Sequence, residues 1–369
     1  MAPARSRSRK SESLEELRSK LDEINLELLR ILSRRAAITI KVGELKRASG
    51  APIHQPGRER LIIDCLIARN PGPLSAEQVR KIFTEIISVG SALQREVRIA
   101  YLGPEHTYAH QAATAHFGKS LAFVGEASIT NVFGALDSGR VDYGVVPVEN
   151  STEGSVRPTL DLLIDTPWHI VAEILLPIKQ ALMSRSGEPG AIRKIVSHEQ
   201  SLAQCRHYLA ANYPHCEQEA VASNAAAALR AVEDASCAAI ASVGAAAGYG
   251  LQVIEAGIQD LAQNTTRFLV LGKSPSAPSG KDKTSILFAV SDKVGALNQA
   301  LAIFARNSIN ITKIESRPLR SRPWEYLFFL DLQGHRERAG LSRALASLKR
   351  KTLFLKVLGS YPEARPIGA

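Results

Sequence analysis

Cysteine is scarce in this chain: Cys65, Cys205, Cys216 and Cys237 are the only four in 369 residues, and no two form a C-x-x-C pair. That excludes a zinc ribbon and a disulfide framework, implies no metal, and fits a reducing cytosol. No apolar run approaches a membrane span, and the opening "MAPARSRSRK" has no apolar segment behind it. Residues 1–10 therefore read as a disordered basic tail on a cytoplasmic protein, a short organelle-targeting peptide being the alternative. Acidic residues run short too. Lys+Arg total 46 against 36 Asp+Glu, a net +10, and residues 1–95 alone hold 18 against 11, or +7. This basic quarter lacks recognition-helix punctuation and interleaved aromatics, so a small anionic ligand fits it better than a nucleic acid.

What is present is an ordinary mixture, 45% hydrophobic and 22% charged, long enough for two or three domains. Ser13 with Glu16 makes a capping box, and Leu14, Leu17, Leu21, Ile24, Leu28, Ile31, Ile38, Val42 and Leu45 follow at helical spacing. The pattern predicts a helix over about 14–47, roughly 50 Å long. A module ending near residue 95 is too small to wrap it, so a partner chain is implied. Two shorter helices follow, one over 56–69 and one capped by Ser75 with Gln78. Arg35 interrupts the apolar stripe, where a charge is costly unless a local Glu or an anion neutralises it. Lys46 lies about 16 Å further along nearly the same face, and Arg18 about 25 Å back, within reach only of an antiparallel partner's site.

From residue 97 short apolar strands alternate with helical stretches, predicting an α/β domain over 97–272 with a mostly parallel sheet. Candidate strands are 98–102, 121–125, 143–148, 169–176, 238–241 and 267–271. A Pro/Gly/Ser/Lys linker occupies 273–283. Residues 284–361 then read as βαββαβ, an α+β ferredoxin-like domain.

In the helical module, covering 11–95, "LRSKLDEINLELLRILSRRAAITIKVGELK", "PGRERL" and "IFTEIISVGSALQ" resemble the all-α chorismate mutase family, a long-helix dimer. The resemblance implies that Arg18 from the partner, Arg35 and Arg58 clamp the substrate's carboxylates. It implies further that Lys46 and Gln94 hydrogen-bond the ether oxygen and that Glu59 holds the ring hydroxyl. Gln55 and Gly90 stand where the family often has Asp and Ser, near that hydroxyl. The chemistry suits such a site, because a pericyclic rearrangement needs only a compressed conformer and donors aimed at the oxygen that gains charge.

"YLGPEHTYAHQAA", "DYGVVPVENSTEGSV", "IVSHEQSLAQC", "AAIAS", "GLQVIEAGIQD" and "NTTRF" together resemble the prephenate dehydratase family, two α/β lobes like a periplasmic binding protein with substrate between them. By that resemblance Thr266 is tied to catalysis; threonine being a poor acid, it reads as a hydrogen-bond donor to the departing hydroxyl or a proton relay. Glu149 is the acid that burial could keep protonated, or else a turn anchor. Arg267 would hold the substrate's side-chain carboxylate, or else pair with a neighbouring acid. Asn150, Ser151, Ser197 and Gln204 match polar cleft positions. His106 and Asn224 stand where the family usually has a small residue and a Thr, and His198 reads as a positioning residue.

"VGALNQAL" and "ESRP" resemble the phenylalanine-binding segments of the ACT domain family, implying Gly295, Ala296, Leu297 and Asn298 with Glu315, Ser316, Arg317 and Pro318 as an effector site. Together the resemblances imply a bifunctional enzyme that rearranges chorismate to prephenate and converts prephenate to phenylpyruvate. It would be inhibited by L-phenylalanine, need no cofactor, engage no nucleic acid or membrane, and form a homodimer or higher oligomer. The alternatives are a dehydratase that prefers arogenate, and an amino-acid-sensing binding protein with inactive sites.

Overall fold

A computed structural model describes residues 12–318 and 326–367. The basic tail expected over 1–10 lies outside the described residues.

The helical module comprises α1 (Leu14–Ser49), α2 (Pro56–Ala68) and α3 (Ala76–Gln94). Both halves of the Ser13/Glu16 capping box form, and α1 stops at Gly50, whose left-handed φ of 67° suits a residue without Cβ. The Ser75/Gln78 box opens α3 in the same way. With 36 residues, α1 is about 54 Å long. Contacts with α3 are documented along its second half, at Arg35, Thr39 and Gly43. Leu17, Leu21, Ile24, Leu28 and Ile31 stay exposed.

The middle of the chain runs β1 (Arg98–Leu102), α4 (Tyr108–Phe117), β2 (Ala122–Glu126), α5 (Ile129–Asp137), β3 (Tyr143–Asn150), β4 (Gly154–Ser155), α6 (Arg157–Asp165) and β5 (His169–Pro177). It then enters β6 (Ala181–Ser184), β7 (Lys194–His198), α7 (Glu199–Gln204), α8 (Arg206–Asn212), β8 (Glu217–Val221), α9 (Asn224–Glu233), β9 (Cys237–Ala241), α10 (Val243–Tyr249) and β10 (Gln252–Ala256), and returns as β11 (Thr265–Gly272). Two sheets result, ordered β2-β1-β3-β11-β5, with β4 paired to β3, and β10-β6-β9-β7-β8.

The expectation of a mostly parallel sheet is corrected: β11 runs antiparallel to both β3 and β5, and β6 antiparallel to β9 and β10. The cause is connectivity, since a chain that crosses into a second sheet and comes back inserts its returning strand from the opposite end. The sequence reading also missed β4, β6, β7, β8 and β10. "EQEAV" and "QVIEA" are edge strands too polar to show an apolar signal.

The last domain comprises β12 (Asp282–Ala289), α11 (Ala296–Arg306), β13 (Ile311–Pro318), β14 (Tyr326–Gln333), α12 (Ala339–Lys349) and β15 (Phe354–Pro362), with sheet order β13-β14-β12-β15. One sheet face carries the helices, with Ile286 and Phe288 packed among Ala300, Phe304 and Leu348. The other face lies on the first α/β sheet, where Leu287, Leu327, Phe329 and Leu358 share a core with Val146, Val148, Leu269 and Leu271. Approach is close enough that a Cβ on Gly359 would come within 2.0 Å of the Ile170 carbonyl oxygen. The 273–283 segment is pinned as well, its buried Ser276 donating to the Val171 carbonyl.

Candidate active sites

In the helical module, one turn after another of α1 faces α3. Arg35 donates through Nη1 to the Ile86 carbonyl at 3.2 Å. A Cβ on Gly90 would sit 3.2 Å from that nitrogen, so the glycine gives the guanidinium room. Gln94 packs over Gly43 and donates to the Gly90 carbonyl at 3.3 Å, leaving its buried Oε1 without a partner. Lys46 donates to the Ile53 carbonyl at 2.7 Å. Burial lowers its pKa, Glu59 opposes that shift and Arg58 adds to it, which places all three in one electrostatic field. Gln55 and Arg58 also line a cavity of about 240 Å³, bounded on its far side by Tyr143, Val171 and Ser274–Ala277. Arg18 is exposed near the free end of α1, apart from the rest.

Sequence reasoning missed His54. Its Nδ1 lies 2.9 Å from Glu59 Oε1, which also accepts from the Gln55 N–H at 3.1 Å. Burial alone would raise the Glu59 pKa, but charge and hydrogen bonding from His54 bring it down to about 2. On the other side, His54 Nε2 stands 3.3 Å from His116 Nε2 on α4, so this cluster joins the helical module to the α/β domain.

In the α/β domain, Thr266 pairs with Asn150 across β11 and β3. Asn150 Nδ2 donates at 2.8 Å to Thr266 Oγ1 and at 2.8 Å to Asn264 Oδ1. Asn150 Oδ1 accepts from the N–H groups of Thr152 and Glu153, which folds the "NST" turn over the end of the strand. Ser151 Oγ closes that turn by accepting from the Thr265 N–H at 3.0 Å. Asn264 is a second omission of the sequence reading: it is buried, and its Nδ2 has no partner.

The polar residues of the second sheet form a separate network. Asn224 Oδ1 accepts from Ser197 Oγ at 3.1 Å, Ser201 Oγ at 3.0 Å and the His198 N–H at 3.3 Å. Gln180 Nε2 donates to Ser201 at 3.0 Å and to Gln204 at 3.2 Å, while its Oε1 accepts from Tyr108 of α4. Gln180 thus ties the second sheet to the first. His198 caps α7 through Nδ1. His106, at φ 65°, reaches across to Gly248 and the Tyr249 ring.

Two expectations fail on geometry. Successive residues of a strand face opposite sides, so Arg267 and Glu149 point away from the Thr266–Asn150 pair and into the βαββαβ domain. Arg267 bonds Asp331 at 2.5 Å, Glu173 at 2.7 Å and the Tyr361 hydroxyl at 2.9 Å. Burial disfavours its charge, but Tyr361, Asp331 and Glu173 overcome that and raise its pKa. Glu149 pairs with Lys313 at 2.9 Å. Neither side chain is placed as a ligand or acid beside Thr266.

The two predicted effector segments lie apart in kind. Gly295, at φ 79°, opens α11 with no side-chain cap, leaving Ala296, Leu297 and Asn298 in the first turn. Along β13, Glu315 and Arg317 face inward, Glu315 accepting from Ser155 at 2.9 Å and Arg317 pairing with Asp161 at 2.6 Å, while Ser316 and Pro318 are exposed.

Comparison with known proteins follows the same three-part division. A family model described as chorismate mutase type II matches residues 17–95, one described as prephenate dehydratase matches 99–276, and one described as ACT domain matches 284–350. The bifunctional chorismate mutase/prephenate dehydratase of Aquifex aeolicus (strain VF5) is 44% identical over 357 residues, spanning 96% of this chain and 99% of that one. Its counterpart from Stutzerimonas stutzeri is 41% identical over 360 residues, spanning 96% and 99%. Among solved structures, the prephenate dehydratase of Arthrobacter aurescens in complex with L-Phe has a TM-score of 0.68 at 32% identity, covering 73% of this chain and 90% of that chain.

Proposed function

Since this chain belongs to the bifunctional chorismate mutase/prephenate dehydratase family, we infer that its helical module rearranges chorismate and that Thr266 serves the conversion of prephenate to phenylpyruvate. The hydrogen bond from Asn150 Nδ2 to Thr266 Oγ1 carries the second assignment. An Oγ1 that accepts from a fixed amide has its own hydrogen left to donate. Prephenate loses its ring hydroxyl as water, the departing oxygen taking up one proton supplied from solvent, while the ring carboxylate leaves as carbon dioxide, its bonding pair completing the aromatic ring. A hydroxyl donor aimed at the departing oxygen stabilises charge that grows only in the transition state. Asn150 and Asn264 hold the donor. Ser151, Gln204 and Asn224 are assigned to the crevice where two α/β lobes would enclose the substrate, with buried Ser197 and Gln180 holding Asn224 and Gln204 from behind.

In the helical module Arg35, Arg58 and Lys46 supply positive charge for a dianion, and Gln94 Nε2, which gives one hydrogen to the Gly90 carbonyl, has a second to donate to the ether oxygen. Arg18 completes the clamp from a second copy. The exposed stripe Leu17, Leu21, Ile24, Leu28 and Ile31 is the face that copy covers. L-Phenylalanine is the effector, its carboxylate received by the uncapped first turn of α11 at Gly295. The purified chain should consume chorismate and release phenylpyruvate, and added phenylalanine should suppress the release. Chorismate loss without phenylpyruvate would refute the dehydratase assignment.

A further inference from the structure

We propose that the Arg267–Asp331 ion pair couples the effector domain to Thr266, making Arg267 a positioning residue. The proposal rests on the reading above, in which Thr266 acts on prephenate and phenylalanine binds the βαββαβ domain. Thr266 and Arg267 are consecutive on β11 and face opposite ways, so whatever moves the guanidinium moves the hydroxyl. A register shift against β3 falls between Arg267 and Phe268, opposite Glu149 and Pro147. The extra residue there is Val148 of β3, whereas β11 keeps unbroken register with β5 from Thr265 to Val270, so Thr266 and Arg267 move as one unit.

The guanidinium is gripped from both domains. Glu173 of β5 forms an ion pair with Nε at 2.7 Å, while Asp331 of β14 and Tyr361 of β15 accept hydrogen bonds from the two terminal nitrogens. Ser285 Oγ of β12 donates to Asp331 Oδ1 at 2.5 Å, Lys283 pairs with Glu173 at 2.9 Å, and Lys313 with Glu149 at 2.9 Å. Three cations thus meet three anions in a largely buried layer, where losing one partner strands a charge and is strongly unfavourable. Such a layer resists sliding and favours discrete arrangements. On the effector side, α11 packs on Ile286 and Phe288 of β12, the strand that carries Ser285. A shift of α11 on ligand binding reaches Asp331 through one strand.

The test uses full-length protein with two substitutions outside both sites, Asp331→Asn and Tyr361→Phe. L-Phenylalanine binding is measured by equilibrium dialysis, and prephenate turnover is titrated with phenylalanine. Both variants should bind phenylalanine within about threefold of the parent yet lose depth of inhibition, Asp331→Asn most, with kcat altered more than KM. Tyr361→Phe leaves no charge unpaired and serves if Asp331→Asn does not fold. A folded variant inhibited to the parent's depth at the parent's concentration overturns the proposal. A parent chain that turns over prephenate but does not bind phenylalanine instead overturns the effector reading, and the proposal falls with it.

Discussion

His54 Nε2 and His116 Nε2 face each other at 3.3 Å across the junction between the helical module and the α/β domain. Burial, then the neighbouring His54, lower the His116 pKa to about 3, Glu59 opposing. Folded His116 therefore stays neutral where an unfolded histidine takes up a proton, so stability falls as pH drops from about 6.5 towards 3. Glu59, with its pKa near 2, contributes stability above its ordinary value that is lost only below it, so both groups make acid destabilising. Thermal melts at pH 7.5 and 5.5 should differ by about 1 kcal/mol more in the parent than in His116→Gln. Equal pH sensitivity in the two proteins would remove His116 from the account.

The mutase and dehydratase activities should separate. Arg35→Ala should lower chorismate rearrangement by about 10²-fold or more while leaving prephenate turnover within about twofold. Thr266→Ala should do the reverse, and Thr266→Ser, which keeps the hydroxyl, should retain most turnover. Steady-state assays with each substrate decide. Either alanine variant losing both activities while still folded would contradict two independent sites.

Arg18 and Arg35 lie about 25 Å apart along one helix, so the proposed clamp would take its Arg18 from a second chain. Mixing Arg18→Ala with Arg35→Ala protein and allowing exchange should restore mutase activity to about a quarter of the parent, because half the dimers are mixed and each has one intact site. Mixed dimers verified by mass spectrometry but inactive would show that Arg18 does not act across the interface.

Gly295 adopts φ 79° at the start of α11, a conformation hostile to β-branched residues. Gly295→Val should shift the phenylalanine response to higher concentration at unchanged final depth. An unmoved titration curve would place the effector elsewhere.

Ending the chain near Gly272 should do something different in kind. It uncovers Val146, Val148, Leu269 and Leu271, which the last domain shares in one core, so the truncated protein should aggregate or melt lower. A soluble truncation as stable as the parent would show that the shared core contributes little.

The sequence by itself determined the three-part division, because helical periodicity, strand alternation and capping boxes are local signals that each segment carries alone. Ser13/Glu16 and Ser75/Gln78 were legible for that reason. Only the tertiary structure decided what Arg267 and Glu149 face. Their neighbours Thr266 and Asn150 share a motif with them in sequence, yet the alternation of a strand sends adjacent side chains to opposite sides, and one side is covered by a domain that begins at residue 282. His54, Gln180 and Asn264 escaped notice for a related reason. Each draws its importance from a partner far along the chain, His116, Tyr108 and Asn150 respectively, and no local pattern of residues records a contact that folding alone creates.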